Sequence, residues 1–575
     1  MRTLRVGNCS GFYGDRFSAM REMLEGGELD YLTGDYLAEL TMLILGRDRM
    51  KDTDLGYAKT FLKQVAENLA LAKERGVRIV ANAGGLNPQG LADAIRKVAA
   101  EQGVDVSVAH VEGDDLLARA GELGFGDALT ANAYLGAFGI AEALTAGADI
   151  VVTGRVTDAS VIVGPAIAEF GWGREDFDQL AGAVVAGHVI ECGAQATGGN
   201  FSGFRDIDMS RPLGFPIAEI SENGDLVITK HEGTGGAVTV DTVTAQLVYE
   251  IQDQKYLNPD VVVDLTSLAL AQDGDDRVRI SGVRGTAPPA TTKVCLNAFG
   301  GFRNHVEFVV TGLDIEEKAA WVTAQIESAL AANPPAEITW DLARTDHVDP
   351  TSQPAAAAIL RCHVKDADMN KVGRTFSGAA VETALASYPG FTMTAPPGRG
   401  APYGIYRAAY VPQAEVPHVV VHADGSRTEI APPTVTADAD NFWNPIHAEP
   451  ADARGSSSKS GKEAALGRLV HARSGDKGGN ANVGVWIPAT HPRRADAYAW
   501  LAGFLTEDRI RELLPEAADL DIDVHPLPNL FGINVILHGL LGEGVASSTR
   551  FDPQAKALGE WLRARIVTIP EELLA

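Results

Sequence analysis

The N-terminal part of the chain repeats one local pattern: a short apolar run, a polar turn rich in Gly, Asn and Asp, then an amphipathic stretch of helical length. That recurrence predicts strands alternating with helices, and strands joined through helical crossovers pair in parallel. The first unit is TLRVGNCSGFYGDR followed by FSAMREMLEGG, and the second is LDYLTGD followed by YLAELTMLILG. The third, VRIVANAGGLNP, enters QGLADAIRKVAAEQG through Pro88, a residue suited to a first helical turn. VDVSVAHVEGDD and ADIVVTGRVTDAS supply two further strands, with a helix expected from Tyr134 to Ala146 between them. A mainly parallel sheet covered on both faces binds its ligands beyond the carboxyl ends of its strands.

Around residue 220 the texture changes to shorter β-branched runs: DLVITKH, AVTVDTVTAQLVYEI, VVVDLTSLAL, RVRISGVRG, TTKVCLNAFG and HVEFVVTGL. These predict a β-rich extension of the first layer, with helices returning at IEEKAAWVTAQIESALAA and near AAVETALASYP. Residues 434–464, rich in Ala, Asp and Ser, read as a linker. Beyond it, strand, helix, strand, strand and helix patterns fit a ferredoxin-like sandwich. The expected architecture is therefore α/β: a large domain over 1–433, parallel to about 215 and β-rich from 216, then a small α+β domain over 465–575.

Composition narrows the function classes. The chain carries 76 Asp and Glu against 49 Lys and Arg, a formal charge of −27, and such a field opposes binding to a phosphate backbone. The segment from Gly467 onward has 11 basic and 14 acidic side chains, so −24 of that charge lies before it. Four cysteines form no CxxC pair and no close cluster, as expected of reduced thiols in a cytoplasm. No signal-peptide core and no run of about 18 apolar residues occurs. The expectation is a cytoplasmic protein with neither nucleic acid nor membrane as partner, and, as for many large acidic enzymes, a homo-oligomer. Glycine is the unusual figure, at 61 residues, and many of these glycines fall in the strand-to-helix turns.

Those turns carry the candidate chemistry. GNCSGFYGDR fits neither G-x-G-x-x-G nor the phosphate loop ending in G-K-[ST], and its Ser is one place late for a nucleophile elbow. It is either a tight turn or an anion site using Asn8 and Ser10. ANAGGLNP offers Asn82 and Asn87 as amide donors beside Gly84 and Gly85. In TGRVTDAS, Arg155 and Asp158 either pair and cap a helix, or grip a carboxylate and move a proton. GHVIECGAQATGGN, expected to be helical from about Ala183 to Ala196, places His188 and Cys192 on one face with Glu191 adjacent. That is packing, a thiolate activated by His, or an acid/base pair of His188 and Glu191. No HExxH and no other ligand spacing calls for a metal. HEGTGG, His231 to Gly236, reads as a loop and, secondarily, as a second wall of the site. HARSGDKGGNANVG sets Ser474, Asp476 and Lys477 among glycines, as an anion nest with a fixed cation or as a hairpin ion pair.

Taken together, GNCSGFYGDR, LDYLTGDYLAELTM, ANAGGLNP, TANAYLGAFGIAEAL, ADIVVTGRVTDAS and GHVIECGAQATGG resemble the acyclic terpene utilisation AtuA family. HARSGDKGGNANVG and LPNLFGINVILHGLLGEGV resemble that family's C-terminal ferredoxin-fold domain, so the likeness covers nearly the whole chain. The resemblance implies breakdown of acyclic terpenes such as citronellol and geraniol through branched acyl-CoA thioesters. With amides and acid/base groups present and the nucleotide-redox fingerprints absent, the expected reaction is that of a lyase or hydratase on an acyl-CoA. The CoA thioester is then substrate rather than prosthetic group, and no cofactor is assigned. The alternatives are a noncatalytic acyl-CoA-binding or scaffolding subunit and a metal-dependent hydrolase.

Overall fold

A computed structural model describes residues 2–437 and 461–574, so residues 438–460 of the expected linker lie outside the described residues. The chain forms two compact units, Met1–Asn297 with Tyr406–Ala575, and Ala298–Ile405. No helix among the described residues is long and apolar enough to cross a membrane.

The first unit is built on an eleven-stranded sheet. At its centre β1 (Thr3–Asn8), β2 (Tyr31–Gly34), β3 (Arg78–Ala81), β6 (Ile150–Thr153) and β4 (Val108–Glu112) lie side by side in that order, all parallel. On the β1 side, β7 (Pro216–Ser221), β8 (Leu226–Lys230) and the strands Val278–Ser281 and Ala269–Gln272 extend the sheet antiparallel. On the β4 side Val419–Val421 and Arg427–Glu429 do the same. The remaining strand, β5 (Ala128–Ala133), stands off this sheet and pairs with the strand Thr291–Thr311.

Helices α1 (Ala19–Gly26), α2 (Glu39–Lys51), α3 (Lys59–Arg75), α4 (Pro88–Gln102), α5 (Phe138–Thr145), α6 (Ser160–Phe170) and α7 (Phe177–Ile190) fill the crossovers. Pro88 opens α4 at its first turn as the sequence predicts, and Asn87 caps it by accepting from Gly90 N at 2.9 Å. α6 and α7 are apolar nearly all round and lie within the core, where α7 is buried from Leu180 to Ile190. They touch closely: a Cβ on Gly187 would lie 2.7 Å from Ala159 Cα, so only glycine lets the end of α7 reach the start of α6.

Several elements depart from the sequence reading. AVTVDTVTAQLVYEI is a helix, α8 (Val240–Leu247), because Thr239 and Thr242 close a reciprocal capping box ahead of its β-branched run. TTKVCLNAFG and HVEFVVTGL are one 21-residue strand, Thr291–Thr311. The helix expected from Tyr134 begins at Phe138, and α7 stops at Ile190, followed by a tight turn at Gly193–Thr197. HARSGDKGG is strand as far as Lys477, with only Gly478 and Gly479 forming the turn into Asn480–Trp486.

In the C-terminal segment, His471–Lys477, Asn480–Trp486, Gly532–Leu537 and Ile522–Leu527 form a four-stranded antiparallel sheet. Leu501, Ile510 and Leu562 from its helices pack on Val483, Val485 and Val535. This segment also shares a core with the N-terminal region: Trp486, Leu527 and Leu530 belong to the cluster that holds α6 and α7. The indole of Trp486 donates to Asp241 Oδ1 at 3.0 Å. The second unit sets Glu337–Ala343, Ala357–Asp366 and the distal part of Thr291–Thr311 in an antiparallel sheet packed on the helices Ile315–Leu330 and Phe376–Glu382.

Candidate active site

The turns at the carboxyl ends of the parallel strands hold one another through buried side chains. Asn8, at the end of β1, donates through Nδ2 to the carbonyls of Ile190 (2.7 Å), Glu191 (2.9 Å) and Ser10 (3.0 Å), tying β1 to the end of α7. Asn82, just past β3, donates to Asp35 Oδ1 at 2.6 Å and accepts from Tyr36 N at 2.7 Å, fixing the turn after β2. Asp114, past β4, accepts from Arg155 N and from Asn132 Nδ2, each at 2.8 Å. Burial pushes that carboxyl up to about 7. Gly154 permits the contact, since a Cβ there would lie 2.2 Å from Asp114 Oδ1.

Arg155, past β6, is 2% exposed. It donates to Asp158 Oδ1 at 2.7 Å and to Leu37 O at 3.2 Å, and its guanidinium lies 4.3 Å from the centre of the Tyr134 ring. Around it stand four carboxyl groups: Asp158, Asp35, Glu39 and Glu191. Burial raises Asp35 well above the carboxylate range, and the charge of Asp158 adds to the effect. Burial likewise raises Glu191, again with Asp158 as the leading negative neighbour. Burial thus favours the protonated form of both, beside an Asp158 that faces a guanidinium. His188 Nδ1 lies 3.3 Å from Glu191 Oε1, and its ring is 4.7 Å from that of Tyr256. Burial, assisted by the charge of Lys477, pushes His188 down to about 4, so it is neutral.

Asp158 opens onto a cavity of about 630 Å³. Its walls include Tyr134, Glu250, Tyr256, Lys293 and Tyr406, and the Lys477–Asn480 turn of the C-terminal segment. Lys293 Nζ is 3.4 Å from Glu39 Oε1 and lies 5.0 Å from the centre of the Tyr134 ring and 5.4 Å from that of Tyr406. The Tyr134 hydroxyl donates to the same Glu39 oxygen at 3.4 Å. Burial opposes the charge on Glu39, but Lys293, Arg155 and Lys477 together bring it down to about 2. Tyr134 and Glu39 in turn hold Lys293 protonated against its own burial.

Of the residues singled out in the sequence, Asp158 and Lys477 lie on the cavity wall, with Arg155, Glu191 and His188 joined to Asp158 by contact or charge. Others are structural. Asn8 and Asn82 hold Glu191 and Asp35 in place, Ser10 donates to Phe12 O, and Asn87 caps α4. Gly84 lies where a Cβ would meet Thr153 O at 2.5 Å, Gly85 turns at φ +54, and Ser474 accepts from Gly559 N at 2.8 Å. Asp476 is half-buried, and loss of solvent with the charges of Glu250 and Glu39 pushes it up to about 8. Burial and the charges of Glu250 and Glu191 drive the Cys192 thiol well above its ordinary value, which disfavours a thiolate there, and the helix that was to align it with His188 has ended. His231 is no second wall, since its Nε2 lies 3.0 Å from Met23 O and its ring packs on Gly26 and Gly27. Among the described residues no group of three or more His, Cys, Asp or Glu is placed to hold a metal ion.

Sequence reasoning missed Asp35, Glu39, Tyr134, Lys293 and Tyr406. Asp35 and Glu39 had a signal, as both follow β2 directly in LDYLTGDYLAE, at the strand end where ligands bind. Lys293 and Tyr406 sit in ordinary strand sequence and only the fold reveals them.

The fold and site define an α/β protein with a buried acid–base cluster at the carboxyl edge of a parallel sheet. Residues 4–422 match the model of the acyclic terpene utilisation family protein AtuA, and residues 464–568 match that of the AtuA ferredoxin-like domain. The chain belongs to the AtuA family. No curated protein and no solved structure matches it.

Proposed function

We propose that this chain is an enzyme of acyclic-terpene or related branched-acid breakdown that adds or removes water at a branched acyl-CoA. The observation that carries the reading is the arrangement of unlike carboxyl groups beside the cavity: Asp158 on its wall against Arg155, and next to it Glu191, whose protonated form burial favours, beside neutral His188. Neighbouring carboxyl groups driven to different protonation states mark a base and an acid. In the dehydration direction Asp158 takes the proton α to the thioester carbonyl. The carbon–oxygen bond at the β carbon breaks, and the leaving hydroxyl takes the Glu191 proton to depart as water. The thioester oxygen gains charge as the α proton leaves, and cavity donors such as the Lys293 ammonium and the Tyr134 hydroxyl are suited to receive it. In this reading the acyl-CoA is a free substrate, no prosthetic group takes part, and the enzyme works in the cytoplasm as a homo-oligomer.

The test is turnover of 3-hydroxyacyl and enoyl thioesters by the purified chain. Asp158→Asn and Glu191→Gln should each lower kcat by about 10²- to 10⁴-fold, the usual contribution of a positioned acid or base. Absence of turnover with all of them, or full activity in an Asp158→Asn, His188→Ala double variant, refutes the assignment. Tight thioester binding without turnover would point instead to a carrier or scaffold.

A further inference from the structure

Three lysines line the cavity: Lys255, Lys293 and Lys477. Lys255 is held by Asp264 at 2.6 Å and Lys293 by Glu39 at 3.4 Å, while Arg155 is held by Asp158 at 2.7 Å. Lys477 has neither an ion pair nor a side-chain hydrogen bond among the described residues. A half-buried ammonium on a cavity wall with no hydrogen-bonded partner has its donors free for the anion of a ligand. The backbone is shaped to deliver it there. Lys477 ends its strand, Gly478 turns at φ +63 with the Tyr406 ring against it, and a Cβ on Gly479 would lie 2.2 Å from Gly542 O. Lys477 lines the same cavity as Asp158, and its charge acts on Glu39, Glu191 and His188. Glu250 and Asp253 on the same wall repel an anion from their side.

We propose that Lys477 is the seat of a free carboxylate carried by the substrate itself, so that the cavity takes acyl thioesters bearing a second, ionised acid group. The inference rests on the reading above for the thioester, and adds the class of acyl chain. The phosphates of CoA are the other anions available, but they lie a full pantetheine arm from the thioester carbon, whereas Lys477 acts on the carboxyl groups expected to flank that carbon.

The experiment is calorimetric titration of the full-length protein, Lys477→Met and Lys477→Arg. The probes are two branched enoyl-CoA thioesters that differ only in a terminal carboxylate or carboxamide, and the same pair as phosphate-free N-acetylcysteamine thioesters. The parent should bind the carboxylate on the order of 10- to 100-fold more tightly than the carboxamide, as a charge-assisted hydrogen bond provides. Lys477→Met should lose that preference, Lys477→Arg should restore part of it, and the phosphate-free pair should show it undiminished. A parent without the preference, a Lys477→Met variant that keeps it, or a preference that vanishes with the phosphates overturns the proposal. So does an equal loss on both probes in Lys477→Met, which would assign the ammonium to the thioester oxygen. Binding needs no turnover, so discrimination without chemistry leaves the carboxylate seat standing and removes the hydratase reading, while chemistry without discrimination does the reverse.

Discussion

Glu191 follows directly on the last residue of α7, with its carbonyl held by Asn8, one carboxylate oxygen near His188 and the Asp158 charge acting on it. Its proton is therefore set by burial and by a neighbour that is itself anchored to Arg155. The same surroundings decide the fate of Cys192, one position on. Because its thiol stays protonated, Cys192→Ala should leave kcat within about threefold of the parent and iodoacetamide should react slowly with the folded protein, since the thiolate is the nucleophile. Rapid alkylation that abolishes activity would contradict this. At this scale the sequence was informative where chemistry and spacing coincide: Arg155 and Asp158, three apart after a strand, do form a pair. It was silent on Lys293, whose role comes from Glu39 and Tyr134, residues far from it in the chain.

Among elements, the parallel strands were legible because each apolar run ends in a turn with its own polar residue, and those residues prove to brace one another. Asn8→Ala would strand the carbonyls of Ile190 and Glu191 without their donor, at a cost of about 2 to 4 kcal/mol, measurable as a lower denaturant midpoint with unchanged slope. Gly154→Ala would drive a methyl group into Asp114, displacing the carboxylate that holds Arg155 N. A loss of about 1 to 3 kcal/mol is expected, with a fall in kcat. If stability drops while kcat is untouched, the Asp114 contact does not position the site. α8 was misread for a physical reason: Val240, Thr242, Val243 and Thr244 favour strands locally, yet a capping box and burial from Asp241 to Leu247 outweigh that preference. The single strand Thr291–Thr311 was read as two because its glycines at 300 and 301 resemble a turn.

For the whole molecule the junction between the N-terminal region and the C-terminal segment matters most. Asp476, pushed up to about 8, lies where Glu250 and Glu39 act on it. A carboxyl raised in the folded state binds its proton more tightly there than in the unfolded chain. Its contribution is therefore complete below the ordinary carboxylate value of 3.8 and is lost as pH rises through about 8. Asp476→Asn should accordingly gain stability relative to the parent as pH climbs across that window, read from denaturant midpoints at several pH values. A difference that stays constant with pH would show that Asp476 does not titrate as described. The strand-and-helix order of this segment was readable from its sequence. Its shared core was not, because Trp486 and Leu530 look like ordinary interior residues of a small domain.

That shared core has a consequence for biosynthesis. Trp486, Leu527 and Leu530 are synthesised long after α6 and α7, and until they emerge the apolar surface they cover stays open. Until then the nascent chain must keep that surface out of reach of other proteins, which makes it a client for chaperones that shield exposed apolar segments. A chain cut short before Trp486 should therefore expose that surface and aggregate.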